Sequence, residues 1–103
     1  EIRALMECLH LVPNYQELIE CYELMEGMNN LHPKKVQELL LNCNSIKVKR
    51  LFLYLSEKSG HEWFNYLDLS KIDLGSGKRK IVEDGFLDEK YKITVPKSWK
   101  RND

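Results

Sequence analysis

The chain is expected to fold as one α+β domain, with four or five helices followed by a small antiparallel sheet or hairpin. Apolar residues return at three- and four-residue steps through the first sixty positions, the period of helices packed on one face. Beyond Gly60 the pattern gives way to short runs parted by Gly75-Ser76-Gly77 and Glu83-Asp84-Gly85, the punctuation of strands and turns. A length of 103 residues, 43% of them hydrophobic and 31% charged, allows one modest core and is too apolar for a disordered chain.

The first helix runs over Ile2–Leu11 and stops before Pro13, because the residue preceding a proline is driven out of helical geometry. In Tyr15–Met28, Leu18, Cys21, Tyr22, Met25 and Met28 form one apolar stripe, with Glu17, Glu20 and Glu23 opposite and Gly27 and Asn29-Asn30 as stop signals. Pro33 opens a third helix where a missing N–H costs nothing, and Val36, Leu39, Leu40 and Cys43 give it a buried face. Ser45 is the N-cap of a fourth helix, Ile46–Ser59, which Gly60 ends. Val48, Leu51, Phe52 and Leu55 are its stripe, widened by Leu53 and Tyr54, so this helix is central to the packing. Trp63, Phe64 and Leu67 form a short helix or turn that lids the core, with His61 near its start. Ile72–Leu74, Arg79–Val82 and Tyr91–Val95 read as strands. Tyr91, Ile93 and Val95 alternate with Lys92 and Thr94, as in a half-exposed strand that Pro96 closes. Residues 1–96 are read as a single domain and 97–103 as a flexible tail.

Sixteen Lys and Arg balance sixteen Asp and Glu, but unevenly along the chain. Residues 1–30 hold six acids against Arg3, and residues 31–60 hold six bases against Glu38 and Glu57. An acidic front and a basic middle permit one cationic face; solvated helix faces of opposite sign are the plainer explanation. Cys8, Cys21 and Cys43 form no CxxC, and no His stands at a ligand spacing from them. They read as free, small buried hydrophobes, as in a reducing cytoplasm. No apolar run is long enough to span a bilayer and no signal peptide is visible, so neither a membrane nor a secretory role is expected.

Three stretches invite chemistry. Gly77-Lys78 resembles the end of a phosphate-binding loop, but Ile72 replaces the first glycine, Arg79 replaces Ser or Thr, and a strand rather than a helix follows. A hairpin turn with cationic flanks is the better reading, its glycines taking positive φ. His61-Glu62 lacks the second histidine of a zinc protease, since Asn65 stands there, and reads as a helix-start or packing feature. No nucleophile–base order stands out. The chain is therefore expected to be no enzyme and to hold no cofactor or metal. The remaining candidates are two basic clusters, Lys47, Lys49 and Arg50 and then Lys78, Arg79 and Lys80, as contacts for nucleic-acid phosphates or an acidic surface. Cations at the start of the fourth helix oppose its dipole, a mild cost that hints at use.

The strings KVKRLFLYLSEKSGHEWFNYLDL (Lys47–Leu69) and IDLGSGKRKIV (Ile72–Val82), closed by YKITVP (Tyr91–Pro96), resemble the C-terminal half of AbiEi-type antitoxins. YELMEGMNNL (Tyr22–Leu31) and PKKVQELLLNC (Pro33–Cys43) fit the same family. The resemblance implies a non-enzymatic antitoxin region whose partner in the operon is a nucleotidyltransferase-like toxin. It also implies autorepression at operator DNA, mainly through an N-terminal winged helix. No segment of this chain reads as one, so the chain is expected to be a C-terminal piece. Glu83-Asp84 and Asp88-Glu89 depart from the more basic family pattern and dilute a cationic surface on the sheet. Direct binding of the toxin and indirect opposition to its effect are equally compatible with these residues. Two other classes fit as well: a stand-alone nucleic-acid-binding module using the basic face, and a helical protein-interaction adaptor using the acidic second helix.

Overall fold

Four helices, α1 (Ile2–Leu11), α2 (Tyr15–Glu26), α3 (Pro33–Leu41) and α4 (Ile46–Ser59), precede three short strands, β1 (Arg79–Lys80), β2 (Phe86–Asp88) and β3 (Ile93–Val95). The structure is a computed structural model that describes residues 2–12, 15–77, 79–80 and 85–99.

α4 is the axis of the fold. Every residue from Val48 to Ser56 is buried, so this helix is enclosed on all sides, with α1 and α2 packed against it. Its ends are set by the residues expected to set them. The Ser45 hydroxyl accepts from the Val48 amide at 3.2 Å, satisfying one of the open N–H groups of the first turn. Gly60 leaves the helix at φ 74°, a left-handed conformation in which a Cβ would be strained. The stripes of the other helices meet it: Leu5, Leu9 and Val12 from α1, Leu18, Cys21 and Met25 from α2, and Val36 and Leu40 from α3 join one cluster with Leu51, Phe52 and Leu55.

After Gly60, a 3₁₀ turn (Glu62–Tyr66) lids the end of α2. The Trp63 indole donates to the Met28 carbonyl at 2.7 Å, and the His61 Nε2–H donates to Met25 O at 2.6 Å. The indole thereby satisfies a carbonyl beyond α2, and the imidazole adds a second donor to Met25 O, which also accepts from the Met28 amide at 3.0 Å. The two rings stack with centroids 5.3 Å apart, so the packing role expected for His61 is the one observed.

The sheet order is β1-β3-β2. β2 and β3 form an antiparallel pair, with Phe86 opposite Val95 and Asp88 opposite Ile93, in keeping with the small antiparallel sheet expected though not with its strands. The buried Asp88 carboxylate accepts from the Tyr91 amide at 3.0 Å, and Lys92 takes φ 55°, which together turn the chain between the strands. Tyr91, Ile93 and Val95 are buried and Lys92 is exposed, but the strand expected over Tyr91–Val95 is only Ile93–Val95, and Tyr91 and Lys92 belong to the turn. β1 adds a parallel edge to β3.

Four readings are corrected. Ile72–Leu74 is not a strand. Its place in the sheet is taken by Phe86–Asp88, which sequence patterning missed because three residues are too few to establish a period. The Gly75-Ser76-Gly77 loop is consequently not a hairpin tip; it leads from a second 3₁₀ turn (Leu69–Lys71) into β1. Residues 97–99 do not fray. They form a 3₁₀ turn whose Trp99 stacks on Tyr54 and lies against Tyr22, with the Lys58 ammonium 4.9 Å from its ring centroid. Finally, Cys8 and Cys21 are not free: a disulfide joins α1 to α2 across a Cα separation of 5.9 Å, and Cys43 alone remains a thiol. The α1 and α2 stripes share one core, and that brings the two sulfurs together; neither cysteine's own neighbours announce the other.

Candidate nucleic-acid interface

The six basic residues do not share a fate. Arg50, in the second turn of α4, is 1% exposed. Its Nε–H donates to Leu74 O at 2.7 Å, its Nη2–H to Ser76 O at 3.3 Å, and its Nη1–H to Lys92 O at 3.3 Å. The planar fork thus ties the loop ahead of β1 to the turn ahead of β3. A buried guanidinium survives because its N–H groups find acceptors. The Leu74 carbonyl, in the segment expected as a strand, accepts from this side chain instead. Gly75 and Gly77 run at φ 70° and 79°, as the loop reading required. The Asp73 carboxylate accepts from the Gly75 amide at 2.8 Å and sharpens the bend.

Lys47 is half-buried. Its Nζ donates to His10 O at 3.0 Å and to Val12 O at 3.2 Å, at the carboxyl end of α1. The charge that opposes the dipole of α4 therefore sits where the dipole of α1 favours it, and it satisfies carbonyls that α1 cannot. A groove of about 540 Å³, lined by Met6, His10, Leu39, Asn42, Cys43, Asn44 and Ser45, opens beside it. Lys49 keeps only 6% of its surface exposed. Lys78 lies outside the described residues, and Arg79 and Lys80 are placed by the backbone of β1, opposite Ile93 and Thr94.

The structure ties the first cluster to the loop that precedes the second in the chain, because Arg50 holds Leu74 and Ser76. It also corrects their membership. Arg50 is interior and contributes no exposed charge, and Lys49 has most of its surface covered, whereas the exposed Lys92, which sequence reasoning passed over as a strand alternation, joins the region through its carbonyl bond to Arg50. No sequence signal distinguishes a buried arginine from a surface one when it lies in a basic run.

Elsewhere the titratable groups serve the fold. The Ser70 hydroxyl, 2.5 Å from an Asp68 carboxylate oxygen, holds that carboxyl below its usual range. Burial, then the Glu26 carboxylate, pushes the Tyr22 hydroxyl above its ordinary value. Among the described residues no three His, Cys, Asp or Glu side chains gather in a way that would hold a metal, and no helix is long and apolar enough to cross a membrane.

The fold defines a small α+β domain built around one enclosed helix, whose Arg50 anchors the loop ahead of β1. Over residues 2–96 the chain matches the family model described as "Transcriptional regulator, AbiEi antitoxin, Type IV TA system". It belongs to that family of antitoxin regulators. No curated protein and no solved structure matches it.

Proposed function

We propose that residues 1–96 act as the C-terminal, non-enzymatic antitoxin domain of an AbiEi-type regulator in the cytoplasm. In this reading the domain counteracts a nucleotidyltransferase-like toxin. Its basic segments, Lys47 with Lys78, Arg79 and Lys80, add phosphate contacts that support repression of its own operon at operator DNA. The observation that carries the reading is the family match across nearly the whole chain. The loop geometry supports the second part: Arg50 fixes the backbone from Leu74 to Ser76, the segment that precedes Lys78, Arg79 and Lys80 in the chain.

A growth assay with the cognate toxin, run beside a gel-shift titration, tests both parts. The domain is expected to restore growth and to bind duplex DNA weakly, without sequence preference, at low salt. The double variant Arg79→Glu/Lys80→Glu is expected to lose DNA binding while still rescuing growth. Failure of the unaltered domain to rescue would remove the antitoxin assignment. Unchanged DNA binding by the double variant would remove the phosphate contacts.

A further inference from the structure

We infer that the Cys8–Cys21 pair is a redox-responsive latch on α1: closed, it keeps Lys47 engaged with the last carbonyls of α1; opened, it releases that ammonium. The bond is not required as a staple, because α1 already buries Leu5, Leu9 and Val12 in a core shared with α2 and α4. Its opening therefore acts on local structure, in the range of sub-global openings that proteins undergo without unfolding. Its position directs that change. Cys8 lies two residues before His10, whose carbonyl, with that of Val12, receives Lys47 Nζ. These are single hydrogen bonds at a helix end on a partly exposed side chain, each contributing little by itself. With the covalent tie gone, the last turn of α1 is held by Leu9 and Val12 alone, and the His10 and Val12 carbonyls that receive Lys47 lose part of their support.

Access to the sulfurs is asymmetric. Cys21 is fully buried whereas Cys8 is half-buried, so exchange enters at Cys8. A low-molecular-weight disulfide is the oxidant. The Cys8 thiolate attacks one of its sulfurs, breaking that S–S bond, forming a mixed disulfide and expelling one small thiolate. The Cys21 thiolate then attacks the Cys8 sulfur, forming the protein disulfide and expelling the second thiolate. Two protein thiols give up two electrons and two protons, and the small disulfide becomes two thiols. Reduction runs the same steps backward. Cys43, on the groove beside Lys47, is the thiol left over.

The consequence for nucleic acid, that Lys47 becomes available to phosphate on reduction, rests on the reading proposed above; the latch does not. The purified chain is equilibrated with oxidised or reduced glutathione, denatured and alkylated with iodoacetamide. Of its three cysteines, one is expected to be alkylated after oxidation and all three after reduction. In the native state, amide hydrogen exchange over Leu9–Val12 and acetylation of Lys47 by an N-hydroxysuccinimide ester are expected to run about tenfold faster in the reduced chain. Cys8→Ser should match the reduced chain under both conditions, and Cys43→Ser should respond as wild type does. Three alkylated cysteines after oxidation, or equal Lys47 and amide rates in the two states, would overturn the latch. Absence of DNA binding in both states removes the phosphate reading alone, because neither rate depends on DNA.

Discussion

Arg50 carries a permanent charge in a site almost closed to water, and its three carbonyl partners come from segments more than twenty residues away in sequence. Leaving a buried acceptor without its donor costs about 1–3 kcal/mol. Arg50→Ala strands several acceptors at once and is predicted to destabilise by at least about 3 kcal/mol in urea denaturation. Arg50→Lys is predicted to recover only part, because an ammonium cannot match the fork. An unchanged midpoint for Arg50→Ala would show that the loop is held by something else. Tyr22 gives a prediction with a definite pH sign. Its hydroxyl pKa is raised in the folded chain, so the folded state holds that proton more tightly than the unfolded state does. Its contribution is complete below the unfolded value of about 10 and is lost as pH rises through the folded value. Between pH 9 and 11 wild type should therefore lose more stability than Tyr22→Phe; equal losses would contradict the assignment.

At the scale of elements, α4 is the piece on which the rest is assembled. Phe52, fully buried, meets Trp63 at a ring-centroid distance of 6.0 Å, so it joins the helix to the 3₁₀ lid as well as to the core. Phe52→Ala is predicted to cost about 3–5 kcal/mol, a large part of the stability of a domain this size. Thermal melting checks it, and a shift of only a degree or two would mean that the lid and core close over the gap. The far end of α4 is held differently. Glu57 accepts from Tyr91 Oη at 2.6 Å and from Lys90 Nζ at 2.8 Å, which seats the β2–β3 turn on the helix. Arg50 and Glu57 thus bind the strand region at two heights of one helix, and the small sheet depends on α4 for its placement. That dependence is expected of a three-stranded sheet too short to be stable alone.

For the whole molecule, the zero formal charge conceals an uneven arrangement, with acids concentrated in the first thirty residues and cations in the middle of the sequence. The burial of Arg50 leaves at most five of the six basic residues of the two clusters for phosphate contact: Lys47, Lys49, Lys78, Arg79 and Lys80. Each phosphate neutralised contributes about −0.9 to the slope of log affinity against log salt, so five contacts predict a slope no steeper than about −4.5. Gel shifts over a range of potassium chloride concentrations measure it. A clearly steeper slope would require cations outside the two clusters, such as the exposed Lys92.

The residues alone determine what is local here. The caps at Ser45 and Gly60, the proline that opens α3, the four helices with their buried stripes and the α+β class all follow from contacts within a few positions, where side-chain chemistry acts on its own backbone. The family strings are equally legible, because they are linear. Tertiary structure alone decides which basic residues are surface and which are structural, that Cys8 reaches Cys21, that Trp99 returns to Tyr22 and Tyr54, and that β1 joins β3 in parallel. Each of these joins segments far apart in the chain. The energy that settles them, burial of a charge against distant carbonyls or of a ring against a distant ring, exists only once the chain has closed on itself.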